Sequence, residues 1–348
     1  MNINIFPISN CNDAALLLAF KVVVAKGLPM THFDIFNGDA DGICALHQLR
    51  LASPKDAILV TGVKRDIALL KRIEAEAGDQ LTVLDVSLDK NRDGLLRALE
   101  RGASVFYCDH HYAGEIPESM ALEVHIDTSA DTCTSLLVNE HLKGAHLPWA
   151  VTAAFGDNLF DSARAAAEPL GLSAEKLSQL EHLGTLINYN GYGVTLDDLY
   201  FSPDQLYREI SPYADPFAFI AESTVYQQLA EGYAADIAQA RELPVAFASD
   251  AVRVIVLPDA PWTRRVSGVY GNELARSAPN RAHALVTELP DGDFRVSVRA
   301  PLSNKTGADE LCRAFPTGGG RKAAAGINAL PADMYDDFVR AFREKYEQ

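Results

Sequence analysis

From Met30 onward the chain alternates short apolar runs with amphipathic stretches, and that alternation restricts the fold more than any other feature of the sequence. The segments HFDIFN, AILVTG, LTVLDVS and SVFYCD have the length and the β-branched or aromatic content of strands. Between them GICALHQLRLA, IALLKRIEAEAG and RDGLLRALERG carry apolar residues at helical spacing. Strand and helix in alternation predict a mostly parallel sheet with helices on its faces. In such a sheet ligands gather beyond the carboxyl ends of the strands.

Asp39, Asp85 and Asp109 each close an apolar strand run, so carboxylates from three strands are expected along one edge. Like charges at close range raise one another's pKa and destabilise the fold, so a cation is expected among them. Asp41 stands two residues after Asp39, His110 and His111 follow Asp109, and Asp157 lies in the segment AAFGDN. Several carboxylates with imidazole suit Mn2+ or Mg2+ better than zinc, which prefers thiolate and imidazole in tetrahedral sites. The carboxylates exceed the needs of one ion, and two ions roughly 3.5 to 4 Å apart, bridged by one Asp, are expected. Each piece alone has an ordinary structural explanation: an Asp before a helix is an N-cap, Gly-Asp-Asn is turn chemistry, and a His pair packs or faces solvent. The whole set, in strand-end order, is what points to a metal centre.

A chain of 348 residues that is 48% hydrophobic and 22% charged can bury a sizeable core, with two domains the natural division. Its net charge of -16 argues against binding long nucleic acid over a broad basic surface, so a phosphate ligand has to be held locally. The five cysteines form no CxxC pair, and their odd number suits a reducing compartment, which gives a cytoplasmic expectation. Residues 1–29 read as an upstream extension with a mis-called start. No Lys or Arg precedes their apolar run, and that run falls short of the roughly 20 residues a bilayer span needs.

Residues 160–240 read as mainly helical, ending in ESTVYQQLAEGYAADIAQARE before Leu243-Pro244. Beyond that break RVIVLP, GVYGNELARSA, AHALVTEL and FRVSVRA alternate strand and helix again. Gly318, Gly319 and Gly320 let backbone N–H groups approach a phosphate closely, and Arg321, Lys322 and Arg299 accompany them, so phosphate or nucleotide contact is favoured over a mere tight turn. Tyr189, Asn190 and Tyr192 offer stacking and hydrogen bonding to a base, although aromatic residues near Gly and Asn are more often loop anchors.

This ordered set resembles the DHH phosphoesterase superfamily, with Asp39-Ala40-Asp41-Gly42 as its first motif, Asp85 as its second, Asp109-His110-His111 as its third and Asp157 as its fourth. The stretch FPTGGGRKAAAGI, with RRVSGVYGNELARSAP and FRVSVRAP upstream, is similar to the DHH-associated C-terminal domain. The resemblance spans residues 30–348. It implies a two-domain α/β architecture: a mostly parallel-sheet catalytic domain over 30–221, a connector over 222–244, and a smaller α/β nucleotide-binding domain over 245–348, with the active-site cleft between the domains. It also implies Asp39 on one ion, Asp41, His110 and Asp157 on the other, and Asp85 as the bridge. His111 would then contact the substrate phosphate, Asp85, His110 and His111 would be the catalytic residues, and Arg299, Gly318, Gly319, Gly320 and Arg321 would hold substrate. Two departures stand out. Relatives supply a further ligand as a His four residues, or an Asp two residues, before the first motif, where this chain has Ile35 and Asn37, and only Asn37 offers an oxygen. Arg321 stands where the family commonly has a His.

The implied activity is Mn2+- or Mg2+-dependent hydrolysis of short oligonucleotides, dinucleotides such as pGpG foremost, to mononucleotides, as in nanoRNase-like relatives. The implied partners are short RNA or a dinucleotide, with no long nucleic acid and no membrane, and a homodimer stays open. Three alternatives remain: a RecJ-like single-strand exonuclease, a cyclic-dinucleotide phosphodiesterase, and a degenerate nucleotide-binding regulator whose metal site is incomplete at Ile35.

Overall fold

The computed structural model describes residues 30–347, and the expected extension over residues 1–29 lies outside the described residues. The first sheet has five parallel strands, β1 (His32–Phe36), β2 (Ile58–Val60), β3 (Gln80–Leu84), β4 (Ser104–Asp109) and β5 (Leu122–Ile126), in the order β2-β1-β3-β4-β5. Side chains alternate across a strand, and here both faces are apolar. Ile35, Val83 and Tyr107 enter one core, under α2 (Leu88–Glu100). Phe36, Leu84 and Cys108 enter the other, with α1 (Ala40–Ala52).

The helices that follow are α3 (Thr134–His141), α4 (Leu147–Gly156), α5 (Phe160–Ala167), α6 (Ala174–Gly191), α7 (Pro203–Ile210), α8 (Pro216–Glu222) and α9 (Thr224–Arg241). Trp149 and Ala153 of α4 and Leu183 and Ile187 of α6 pack on α1, which fixes the end of β1 against a helical layer.

The second sheet is mixed, in the order β10-β11-β9-β8-β7-β6, from β6 (Val245–Ala248), β7 (Val252–Leu257), β8 (Ala282–Glu288), β9 (Phe294–Arg299), β10 (Gly318–Gly320) and β11 (Ala324–Leu330). One face carries α11 (Ala308–Arg313) and α12 (Tyr335–Tyr346) through Leu311, Phe338 and Phe342. The other face carries α10 (Pro261–Ser277), whose Val266, Val269 and Tyr270 share a core with Tyr189 of α6 and Ile237 of α9. That shared core seats the second sheet on the helices of the first.

Three local expectations change. IALLKRIEAEAG forms only a single tight turn at Leu69–Arg72, because Asn91 of α2 donates to the Ile67 carbonyl (2.7 Å) and accepts the Leu70 N–H (3.0 Å). The loop's polar groups are thereby satisfied without a helix, and Leu69, Leu70, Ile73 and Ala75 are buried all the same. AILVTG is reduced to an edge strand of three residues. LEVHI, unread in the sequence, forms β5 and closes the opposite edge. Among the described residues no helix is long and apolar enough to cross a membrane.

Candidate metal centre

The carboxyl edge of the first sheet builds the site one strand end at a time. After β1 the chain turns through Asn37 and Gly38 into Asp39, the N-cap of α1, whose Oδ1 accepts the N–H groups of Asp41 (3.0 Å) and Gly42 (3.1 Å). Asp41, in the first turn of α1, faces the start of α3: its Oδ2 accepts from Thr134 N–H (2.8 Å) and its Oδ1 from Ser135 N–H (2.7 Å). The positive end of that helix suits a carboxylate. Asp85 follows β3 with φ 58°, a left-handed backbone that few side chains tolerate, and sits within 3.4 Å of Thr134 Oγ1.

His110 follows β4. Its Nδ1 lies 3.0 Å from the Thr132 carbonyl oxygen and donates to it, which leaves Nε2 facing the site. Around that Nε2 stand Asp85 Oδ1 at 3.5 Å, Asp157 Oδ2 at 3.7 Å and Asp41 Oδ2 at 3.9 Å, with Asp157 capping the end of α4. A small divalent ion about 2.1 Å from each ligand separates neighbouring donors by roughly 3 to 4 Å. Asp41, His110 and Asp157 lie close enough together for one such ion, and Asp85, His110 and His111 form a second such group beside it. The electrostatics agree. Burial pushes the Asp85 carboxyl well above its ordinary range, and Asp41, Asp39, Asp157 and Asp109 push it further. Burial likewise raises Asp41, against the opposing pull of His110. A divalent cation among them would reverse both effects.

Asp39 behaves differently. Burial alone would raise its carboxyl, but Lys64 and the Gly42 N–H outweigh burial and hold it at about 2. Lys64 Nζ donates to Asp39 Oδ2 (2.5 Å), Asn188 Oδ1 (2.9 Å) and Asp157 Oδ1 (3.3 Å). The expected ion on Asp39 therefore meets an ammonium group. Asn37, expected as an extra ligand, donates through Nδ2 to the Lys64 carbonyl (3.3 Å), while its buried Oδ1 has no partner among the described residues. Ile35 points away from the site into the core beside Leu69 and Val83.

Asp109 stands behind the cluster instead of converging with Asp39 and Asp85. It is fully buried, its Oδ1 lies 2.8 Å from His111 Nδ1, and its Oδ2 has no partner among the described residues. Burial disfavours the charged form of His111, but the hydrogen bond and charge of Asp109 win and raise its pKa. His111 is one-third exposed, which leaves an imidazole whose protonated form Asp109 favours within reach of an incoming anion.

No family model and no curated protein matches the chain. Solved structures do. Exonuclease RecJ bound to manganese superposes with a TM-score of 0.59 at 19% identity, covering 90% of this chain and 89% of that one. A DHH domain from a member of the s1p family of ribosomal proteins gives 0.58 at 13%, covering 90% and 86%. The chain has the DHH fold. The pGpG-specific phosphodiesterase PggH from Vibrio cholerae shares it, with a TM-score of 0.53 at 14% identity over 90% of this chain and 99% of that one.

In this DHH-fold chain the residues expected to hold substrate are distributed unevenly. Arg299 is held by Asn272 Oδ1 (2.7 Å) and Ser297 Oγ (3.0 Å). Gly318 to Gly320 form the edge strand β10, and two of the three have a packing reason to be glycine. A Cβ on Gly318 would lie 1.7 Å from the Cys312 carbonyl oxygen, and Gly320 has φ 138°. Gly319 alone has open space above it. Arg321 is exposed, and its guanidinium has no partner among the described residues. Tyr189 and Asn190 leave the list of base contacts. Tyr189 is fully buried on Asp236 (2.5 Å), and Asn190 accepts from Tyr200 N–H and Phe201 N–H at 3.2 and 3.1 Å. Tyr192 stays at the site: its ring lies 5.6 Å under Lys64 Nζ and against Gly268 of α10, where a Cβ would come within 2.2 Å of the ring.

Sequence reading missed Lys64, Asn188, Thr132 and Thr134, and also Arg65, Arg264 and Arg295, which line a small depression beside Tyr192. A signal existed for Lys64 and Arg65. VKRD directly follows the run AILVTG, and the rule that strand ends face the ligand applies to cations as it does to acids.

Proposed function

We propose that this chain is a divalent-metal-dependent phosphodiesterase that hydrolyses short oligonucleotides, dinucleotides such as pGpG foremost, to mononucleotides. The observation that carries the reading is His110 Nε2, turned by Thr132 into a pocket of three carboxylates from the first turn of α1 and the ends of β3 and α4. Mn2+ or Mg2+ held there would supply a water of lowered pKa and a charge on the phosphoryl oxygens. Asp41, Asp85, His110 and Asp157 would hold the ion, and the N–H groups at the start of α3 would keep Asp41 turned toward it. His111, whose protonated form Asp109 favours, would receive a non-bridging phosphate oxygen. Residues 30–221 would supply this machinery, and residues 245–348, reached through 222–244, would supply Arg299, Gly319 and Arg321 to the far phosphate.

The fold is shared with RecJ as well as with PggH, so a RecJ-like exonuclease is the second reading. The net charge of -16 favours the shorter substrate, since a long strand needs many cations along its track. The deciding assay compares initial rates with Mn2+ on pGpG, cyclic dinucleotides, and 5'-labelled RNAs from two to twenty nucleotides. A rate that peaks at two supports the proposal. A rate that climbs with length replaces it by the exonuclease, and turnover of cyclic dinucleotides alone replaces it by that activity. Absence of metal-dependent turnover on every substrate rejects catalysis.

A further inference from the structure

Both carboxyl oxygens of Asp39 are engaged, and one of them is held by a cation of the chain itself. Its Oδ1 accepts two N–H groups at the start of α1, and its Oδ2 accepts Lys64 Nζ at 2.5 Å. An ammonium group has three N–H donors. Those of Lys64 meet three acceptors, Asp39 Oδ2, Asn188 Oδ1 and Asp157 Oδ1, at 2.5, 2.9 and 3.3 Å. Asn188 comes from α6 and is 2% exposed, so this acceptor is built into the helical layer.

The backbone of Lys64 is fixed from both sides. Its N–H donates to the Gly191 carbonyl at 2.9 Å, and its own carbonyl accepts Asn37 Nδ2 at 3.3 Å. The face of Tyr192 lies 5.6 Å from Nζ and adds a cation–π contact. Two residues that relatives would use around an ion, the first-motif Asp39 and the position of Asn37, here hold one lysine, by its head and by its backbone. Asp157 is shared, with Oδ1 on Lys64 and Oδ2 3.7 Å from His110 Nε2.

We propose that Lys64 permanently fills the position of one of the two ions, so that the chain operates with a single divalent ion at the Asp41, His110 and Asp157 group, with Asp85 beside it, and a built-in ammonium. The inference rests on the metal-dependent reading above and deepens it. A fixed cation at Asp39 neutralises that carboxylate at every metal concentration. Activity should then rise with Mn2+ along a simple saturation curve instead of the sigmoid of two required ions. The first carboxylate of the first motif becomes a residue that positions Lys64 instead of a metal ligand.

The test counts ions directly. The wild-type chain is titrated with Mn2+ by calorimetry and by equilibrium dialysis, and the bound metal is read by electron paramagnetic resonance. The expected result is one Mn2+ per chain with the six-line spectrum of an isolated ion. In Lys64→Ala three acceptors are released, and the expected result is a second bound Mn2+ and the broadened spectrum of a coupled pair. Lys64→Gln, which keeps the bulk and a donor, should stay at one ion. Two ions in the wild type with a coupled spectrum overturn the proposal, even if Lys64→Ala fails to fold. A folded Lys64→Ala that still binds one ion also overturns it, because something other than the lysine then excludes the second. Oligonucleotide turnover is followed in parallel and separates the two readings. One bound ion with no turnover leaves the lysine assignment standing and sinks the enzymatic function, whereas two ions with full turnover do the reverse.

Discussion

His111 Nδ1 donates at 2.8 Å to Oδ1 of Asp109, a carboxylate that is completely buried and has no other partner among the described residues. Residue 109 thus acts through residue 111. Asp109→Asn keeps the shape of the side chain but removes the charge that favours the protonated imidazole and fixes its ring. It should lower kcat/KM on dinucleotides by roughly ten- to hundredfold, the range typical when the partner that orients an active-site imidazole is lost. Mn2+ affinity should change little, because Asp109 is outside the ligand set. A variant with full kcat/KM, or with Mn2+ binding weakened as much as its rate, would contradict this division of labour.

Ile35 occupies a position where some relatives carry a His ligand, but here it lies in the core with Leu69, Leu70 and Val83. Ile35→His should therefore not tighten Mn2+ binding. It should destabilise the fold by roughly 3 kcal/mol, combining lost apolar packing with burial of a polar ring that finds no partner. Urea unfolding measures the cost, and calorimetry on the folded fraction gives the Mn2+ affinity. A tighter Mn2+ midpoint at unchanged stability would show that residue 35 reaches the metal after all.

The contrast between Ile35 and Lys64 shows what sequence reading captures. The acids at strand ends were legible because alternation fixes which residues reach the carboxyl edge, and Asp39, Asp41, Asp85, His110 and Asp157 come together there. Asp109 obeyed the same rule but lies one step behind the cluster, a difference set by its hydrogen bond to His111. Lys64 is harder to read, because acids at strand ends signal an external cation and not one supplied by the chain itself. Tyr189 and Asn190 are anchors, the more frequent role of such residues near Gly and Asn, but their partners, Asp236, Tyr200 and Phe201, come from separate elements that only the folded chain brings near. The turn at Leu69–Arg72 depended likewise on the side chain of Asn91, 21 residues from Leu70.

Asp85 combines a left-handed backbone, φ 58°, with a carboxyl that burial and four neighbouring acids push upward. Both features disfavour Asp at this place unless a cation compensates. In Asp85→Gly, melting with EDTA present should be at least as high as in wild type, since glycine accepts this backbone and the repulsion is gone. Mn2+ at about a hundred times its dissociation constant should stabilise wild type by about 2.7 kcal/mol and leave the variant unchanged. Turnover should fall more than tenfold. If Mn2+ raises both melting temperatures equally, Asp85 is not a ligand.

His47 ties stability to pH far from the metal. It is 1% exposed, its Nε2 lies 2.8 Å from the Tyr213 carbonyl oxygen, and its ring meets Trp149 edge-on at 4.7 Å. Burial lowers its pKa from 6.5 to about 4, so the unfolded chain binds the proton first. Its contribution is complete above pH 6.5, declines as pH falls, and is lost by about pH 4, amounting to about 3 kcal/mol at most. His47→Gln should be less stable at pH 7, and its deficit relative to wild type should shrink between pH 6.5 and 4.5. Urea midpoints at pH 7, 6 and 5 check this, and a constant deficit would mean that His47 does not titrate in that window.

Arg321 is exposed with no partner among the described residues, whereas Arg299 is held by Asn272 and Ser297. A guanidinium free to move is suited to closing on a terminal phosphate in bidentate fashion, and it never loses its charge. If Arg321 and the open backbone at Gly319 hold the end phosphate while the metal centre cleaves the neighbouring linkage, a dinucleotide fills the distance between them and further nucleotides add nothing. A charge-assisted contact contributes about 1.5 to 3 kcal/mol, so Arg321→Ala should lower kcat/KM on pGpG by roughly ten- to hundredfold. The loss on GpG, which lacks the terminal phosphate, should be far smaller. Four measurements, wild type and variant on each substrate, form a cycle whose coupling isolates the contact. Equal losses on both dinucleotides would remove Arg321 from the phosphate. Together with a wild-type rate rising from two to twenty nucleotides, they would move the chain toward the exonuclease reading.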